Sequence, residues 1–120
     1  MKKYEHDLLT SDNTEVLHEE DFKFNAPHLF HVITTKNENA NELLASIHFQ
    51  EGPTKEYGLN GVFNEDLIAM IICRLEHFQK SEFACRENTI AITKLEETLM
   101  WLRKRTLNRQ KRNVQGTSIK

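Results

Sequence analysis

Apolar and polar positions change their period along this chain. The first 21 residues are polar and acidic, with Leu8, Leu9, Val16 and Leu17 as apolar anchors, enough for one short strand or an ordered arm. From Leu29 to Thr35 the chain is rich in β-branched and aromatic residues and follows Pro27, the composition of a strand. The Asn-rich run Lys36–Asn41 predicts a turn, and Glu42–Phe49 predicts a second strand. A polar loop between two strands makes an antiparallel hairpin the simplest pairing. Gly52-Pro53 stops the second strand, and the stretch to Gly61 holds three of the four glycines, which predicts a loop.

Beyond that loop the period lengthens. Leu67, Ile71, Leu75 and Phe78 recur at steps of four, four and three, behind Asn64 as an N-cap with Glu65 and Asp66 in the first turn. They predict a helix over about 65–80. Ile92, Leu95, Leu99 and Leu102 repeat the pattern and predict a second helix over about 86–111. Two helices joined by the short link 81–85 are antiparallel neighbours. The fold class is therefore α+β, in one domain of 120 residues. Residues 1–50 are mainly β, 51–64 form a glycine-containing loop, 65–111 form a helical hairpin, and 112–120 form a polar tail, partly mobile.

Composition narrows the function classes. The hydrophobic fraction of 38% and charged fraction of 28% suit a soluble globular protein. No apolar run nears the roughly 18 residues of a membrane span, and the N-terminus lacks the apolar stretch of a secretory signal, so the expectation is cytosolic. Cys73 and Cys85 read as reduced thiols serving as small apolar residues. The six histidines include no pair at helical ligand spacing with a third ligand near, so no metal and no cofactor is expected. Ser46 and Ser81 lack a nucleophile-elbow setting, and no acid–base pair stands out, so the chain reads as a non-enzyme. The net charge of −2 conceals a sharper division. Residues 1–97 carry nine Lys/Arg against eighteen Asp/Glu, and residues 98–120 carry seven Lys/Arg and no acid. Such an end suits an anion site or an interaction tail; it equally suits solvated cations opposing a helix dipole.

Three features could form an anion or ring pocket. Arg105 and Arg109 are four apart on one helical face, prolonging the stripe of Leu95 and Leu102. Guanidinium groups take phosphate oxygens in pairs and stack on flat rings. Phe78, at the end of the first helix, falls near Asn88 at the start of the second, and a ring beside an amide suits a purine. Third, the backbone N–H groups of Asn60–Asn64, including Gly61, would face an anion at the first helix's N-terminus. The plainer reading of that stretch is a connecting loop.

The run from Phe49 through Gly52-Pro53-Thr54-Lys55-Glu56-Tyr57-Gly58-Leu59-Asn60-Gly61-Val62 resembles the characteristic loop of the phage Thoeris anti-defence family, the cyclic-ADP-ribose sponges. Arg74–Gln79, Phe83–Asn88, Leu95–Leu102 and the stretch from Arg105-Thr106 through Arg109 to Thr117 follow in order and spacing, so the resemblance covers 47–118. It implies an α/β homodimer or higher oligomer with a helical hairpin shared with anti-CBASS sponges. Such a protein traps, without degrading it, a cyclic ADP-ribose isomer made by bacterial TIR-domain defence enzymes, in the cytoplasm of the infected host. It also implies separate sites for cyclic di- or trinucleotides in some members. Carried over by position, Phe78, Asn88, Arg105 and Arg109 are expected to contact base, ribose and phosphate. The 52–61 loop is the expected lid, and Lys55, Asn60 and Gly61 on it join the expected ligand-binding residues. Three positions depart from the family pattern: Thr54 replaces an apolar β-branched residue, and Asn113 and Gln115 replace Gly and Glu. The rival reading is a small nucleic-acid-binding or regulatory module using the basic helix end. Against it, the rest of the chain is acidic and aromatic residues are not interleaved with the basic run.

Overall fold

Alternation of side chains with period two organises the first half of the molecule. The computed structural model describes residues 1–35 and 41–120; the turn expected over Lys36–Asn41 lies outside them, save for Asn41. The protein is α+β and divides into two units, residues 1–62 and 63–120.

The first unit carries a four-stranded antiparallel sheet of β1 (Lys2–Lys3), β2 (Thr14–His18), β3 (Leu29–Thr34) and β4 (Leu43–His48), in sequential order. Val16 pairs with Val32 and Val32 with Ala45, while Phe30 pairs with Ile47. These residues share one face, because neighbours across an antiparallel pair point the same way. Phe49 closes the end of that face, edge-on to Phe30 at 5.4 Å between ring centroids. A register shift at Val32/Ile33 absorbs Leu44 and sets Leu43 opposite Ile33; one extra residue on a strand does this without turning over the rest of the ladder. The polar N-terminal stretch supplies two strands rather than one. Its return from β2 to β3 is held by Glu19, whose Oε2 accepts the N–H groups of His28 (3.3 Å) and Leu29 (2.6 Å).

The region expected as a loop contains one helical turn, α1 (Thr54–Tyr57), entered through Pro53 at φ −64°. Proline presets that dihedral and has no N–H to leave unpaired. The chain then returns to the sheet through Val62, which forms a parallel bridge with Phe49. Gly61 makes the bridge feasible: a Cβ there would lie 2.6 Å from the His48 carbonyl oxygen and closer still to the backbone of Phe49.

The second unit is the helical hairpin of α2 (Asn64–Gln79) and α3 (Arg86–Lys111). Phe63, not Asn64, stands at the N-cap of α2, because Asp66 Oδ2 reaches back to accept the Phe63 N–H at 2.8 Å, half of a capping box. On α3 the stripe Ile92, Leu95, Leu99, Leu102 is withdrawn from solvent, as its spacing predicts. On α2 the packed stripe is Ile68, Ile72, Leu75 and Gln79. Ile71 and Phe78, expected on that face, are exposed. The helix is apolar on two adjacent stripes, and period alone cannot say which one meets its neighbour.

Candidate functional site

The two ends of the hairpin present different chemistry. Where α2 ends, the amide of Gln79 ties the helices together. Its Nε2 donates to the Cys85 carbonyl (2.9 Å) and to Thr89 Oγ1 (2.6 Å), and its Oε1 accepts the Cys85 N–H (3.0 Å). Ser81 Oγ donates to the Phe78 carbonyl and accepts the Phe83 N–H. This connection fixes Phe78 on the rim of a cleft of about 440 Å³ lined by Cys73, Arg74, His77, Phe78, Ser81 and Phe83. The Phe78 ring is 40% exposed, and the Arg74 guanidinium carbon sits 5.6 Å from its centroid, a cation–π distance. Asn88, in the first turn of α3, is half-buried. An open ring flanked by a guanidinium is suited to a planar, electron-rich ligand.

At the far end of α3, Trp101, Lys104, Arg105, Asn108, Arg109, Arg112 and Lys120 line a second cleft, of about 590 Å³. It contains five cations and no carboxylate side chain. Lys104 Nζ lies 5.2 Å from the Trp101 ring centroid, so the cleft combines a ring with charge. Arg105 is exposed, whereas Arg109 is half-buried and continues the stripe of Leu99, Leu102 and Thr106. The Arg109 Nη2 donates to the carbonyls of Val114 (2.9 Å) and Thr117 (3.0 Å).

Those carbonyls belong to a helix stop that organises the residues expected as a mobile tail. Val114 N–H bonds the Arg109 carbonyl and Asn113 N–H bonds the Gln110 carbonyl, both at 3.0 Å. This is the paired pattern of a Schellman ending, with Asn113 in the left-handed position at φ 58°. Val114 is buried.

The structure gathers the expected site residues into three separate groups. Phe78 and Asn88 lie at the connection, and Arg105 and Arg109 line the basic cleft. Lys55, Asn60 and Gly61 belong to the other unit. Lys55 is exposed on α1. Asn60 is engaged locally: its N–H bonds Gln50 Oε1 (2.9 Å), its Oδ1 accepts the Glu51 N–H (2.7 Å), and its Nδ2 donates to the Glu51 carbonyl (2.8 Å). Of the N–H groups expected to face an anion, those of Asn60, Val62 and Phe63 have partners in Gln50, His48 and Asp66. That expectation is corrected accordingly. The loop's polar groups close on themselves; Gly61 serves a close backbone approach, while Gly58 supplies a φ of 75° in open space.

Arg74, Trp101, Lys104, Gln79 and Gln50 were missed by sequence reasoning. The Trp101–Lys104 pair had a usable signal, a ring three residues before a cation on one helical face. Nothing in the local pattern distinguishes Gln79 or Gln50 from other surface glutamines. Among the described residues, no helix is long and apolar enough to cross a membrane.

Comparison with known proteins agrees with this architecture. Residues 41–107 match the family model described as the Acb2/Tad1 hairpin domain. The whole chain is 47% identical, over 142 aligned positions covering all of both proteins, to Thoeris anti-defense 1 of Bacillus phage SBSphiJ7. A helical hairpin with an open aromatic at one end and a cationic cleft at the other, matched over more than half its length, places the chain in the Acb2/Tad1 hairpin-domain family.

Proposed function

We propose that the protein is a phage anti-Thoeris factor that binds a cyclic ADP-ribose isomer and holds it intact in the cytoplasm of the infected host. The observation that carries this reading is the likeness to Thoeris anti-defense 1, 47% over the full length of both chains. The exposed Phe78 ring and the cationic cleft agree chemically with an adenine and a pyrophosphate. Stacking of a base on an aromatic contributes about 1–3 kcal/mol, and charge-assisted bonds hold phosphate oxygens.

The working unit in this reading is a homodimer. Asn88 and Arg105 are seventeen residues apart on one helix, which is about 25 Å of axis at 1.5 Å per residue. A single small nucleotide does not span that distance, so Phe78 and Asn88 of one copy would join Arg105 and Arg109 of the other. Two-fold pairing repeats the same junction twice and gives two pockets. Exposed Met70, Ile71, Met100, Trp101 and Leu107 on the hairpin supply apolar surface for such pairing. Cyclic di- or trinucleotides are candidate second ligands.

The test is calorimetric titration of the purified chain with cyclic ADP-ribose isomers from a TIR-domain enzyme, then heat release and chromatography of the ligand. One ligand per chain, recovered unchanged, is the expected result. A hydrolysed product would replace sequestration with turnover, and absence of binding would remove the ligand assignment.

A further inference from the structure

The residues after α3 have a geometry that simple ligand capture does not explain. Arg109 Nη2 is bonded by two carbonyls, those of Val114 and Thr117. Arg112 donates to the main-chain oxygen of Lys120, and Lys120 returns to line the same cleft as Arg105, Arg109 and Arg112. Thr117 Oγ1 closes on the Val114 carbonyl and accepts the Ile119 N–H (3.3 Å). The tail is thus folded over the cations by their own hydrogen bonds.

A guanidinium grips two oxygens along an edge made by Nη2 with either Nη1 or Nε. Nη2 belongs to both edges. With two carbonyls on Nη2, neither edge of Arg109 is open to a phosphate in the bidentate manner. We propose that residues 113–120 form a latch in which tail carbonyls occupy Arg109 as an internal substitute for phosphate, and that a pyrophosphate group entering the cleft displaces at least one of them. This rests on the reading that Arg109 contacts a phosphate of the ligand. The latch is built to yield. Gln115 Oε1 is buried with no hydrogen-bond partner among the described residues, and an unsatisfied buried acceptor weakens the closed arrangement that buries it. Apparent affinity is then the intrinsic affinity reduced by the fraction of molecules with the latch open.

The experiment uses the full chain and inorganic pyrophosphate as probe. Hydrogen–deuterium exchange is followed over residues 113–120 with and without pyrophosphate, alongside calorimetric titration of the parent and of Thr117→Val. Faster exchange at the Thr117 and Ile119 amides on binding is expected. Thr117→Val, which removes the hydroxyl that closes the tail, is expected to bind roughly fivefold more tightly, the factor one net hydrogen bond is worth. Binding with unchanged tail exchange, unchanged or weaker binding by Thr117→Val, or no pyrophosphate binding would each overturn the latch. A parallel titration with a cyclic ADP-ribose isomer keeps the two ideas apart. Binding of the isomer with an unmoved tail retains the function and removes the latch. Tail release by pyrophosphate in a chain that ignores the isomer does the reverse.

Discussion

The Gln79 amide makes three hydrogen bonds across the connection of the hairpin, although its residue type suggests an ordinary solvated surface position. Each such bond contributes about 0.5–1.5 kcal/mol net, and the three share one side chain. Gln79→Ala is therefore expected to lower stability by about 1–3 kcal/mol, read as a reduced urea midpoint at unchanged slope. Asn113 makes a second, sharper case. Its φ of 58° is easy for Gly, tolerable for Asn and unfavourable for a β-branched residue. Asn113→Gly should stay within about 0.5 kcal/mol of the parent, while Asn113→Val should lose about 1–2 kcal/mol, both by thermal unfolding. Gly and Asn at that place would satisfy the same backbone requirement.

At the scale of elements, α3 acts as a ruler. It carries Asn88 in its first turn and Arg105 and Arg109 near its last, separating the aromatic end of the hairpin from the cationic end. Because each group is held by a different part of the hairpin, they can be removed separately. Phe78→Ala is expected to weaken binding of a cyclic ADP-ribose isomer by about 1–3 kcal/mol. Arg105→Ala should weaken it by about 1.5–3 kcal/mol, the range for a hydrogen bond to a charged group. Helix content by circular dichroism should be unchanged in both, since both side chains are exposed. Arg109→Ala is a less clean probe of ligand contact, because that guanidinium also holds Val114 and Thr117.

At the scale of the whole molecule the question is whether one chain or two make a pocket. Phe78→Ala and Arg105→Ala chains, each deficient in binding, can be mixed under conditions that exchange subunits. If each pocket takes Phe78 from one copy and Arg105 from the other, a mixed dimer has one doubly altered pocket and one intact pocket. Random pairing then restores about one tight site for every four chains, measured by titration. If the pocket lies within a chain, no tight site returns, and the two-copy arrangement is wrong.

Period and composition carried much of the architecture. Leu29–Thr34 and Leu43–His48 are strands, Asn64–Gln79 and Arg86–Lys111 are helices, and the N-terminal β portion precedes the helices as expected. The contributing signals are local: β-branched runs, steps of three and four, and Gly-Pro punctuation. The second N-terminal strand was faint, because short strands on a polar stretch gain their hydrogen bonds from neighbours rather than from their own pattern. Chemistry was legible by residue type at Phe78, Arg105 and Arg109, yet their environment was not. The sequence by itself determined which segments are strands or helices and which end of the chain is cationic, because these depend on neighbours within a turn or two. Only the tertiary structure decided that Ile72 rather than Ile71 is packed, that Asn60 serves its own loop, and that Arg109 is held by the tail. Those outcomes depend on which of several chemically competent partners arrives within hydrogen-bond or van der Waals distance, and that is set by how the chain folds back on itself, over five to ten residues for Arg109 and Asn60 and through the packing of α2 against α3 for Ile72.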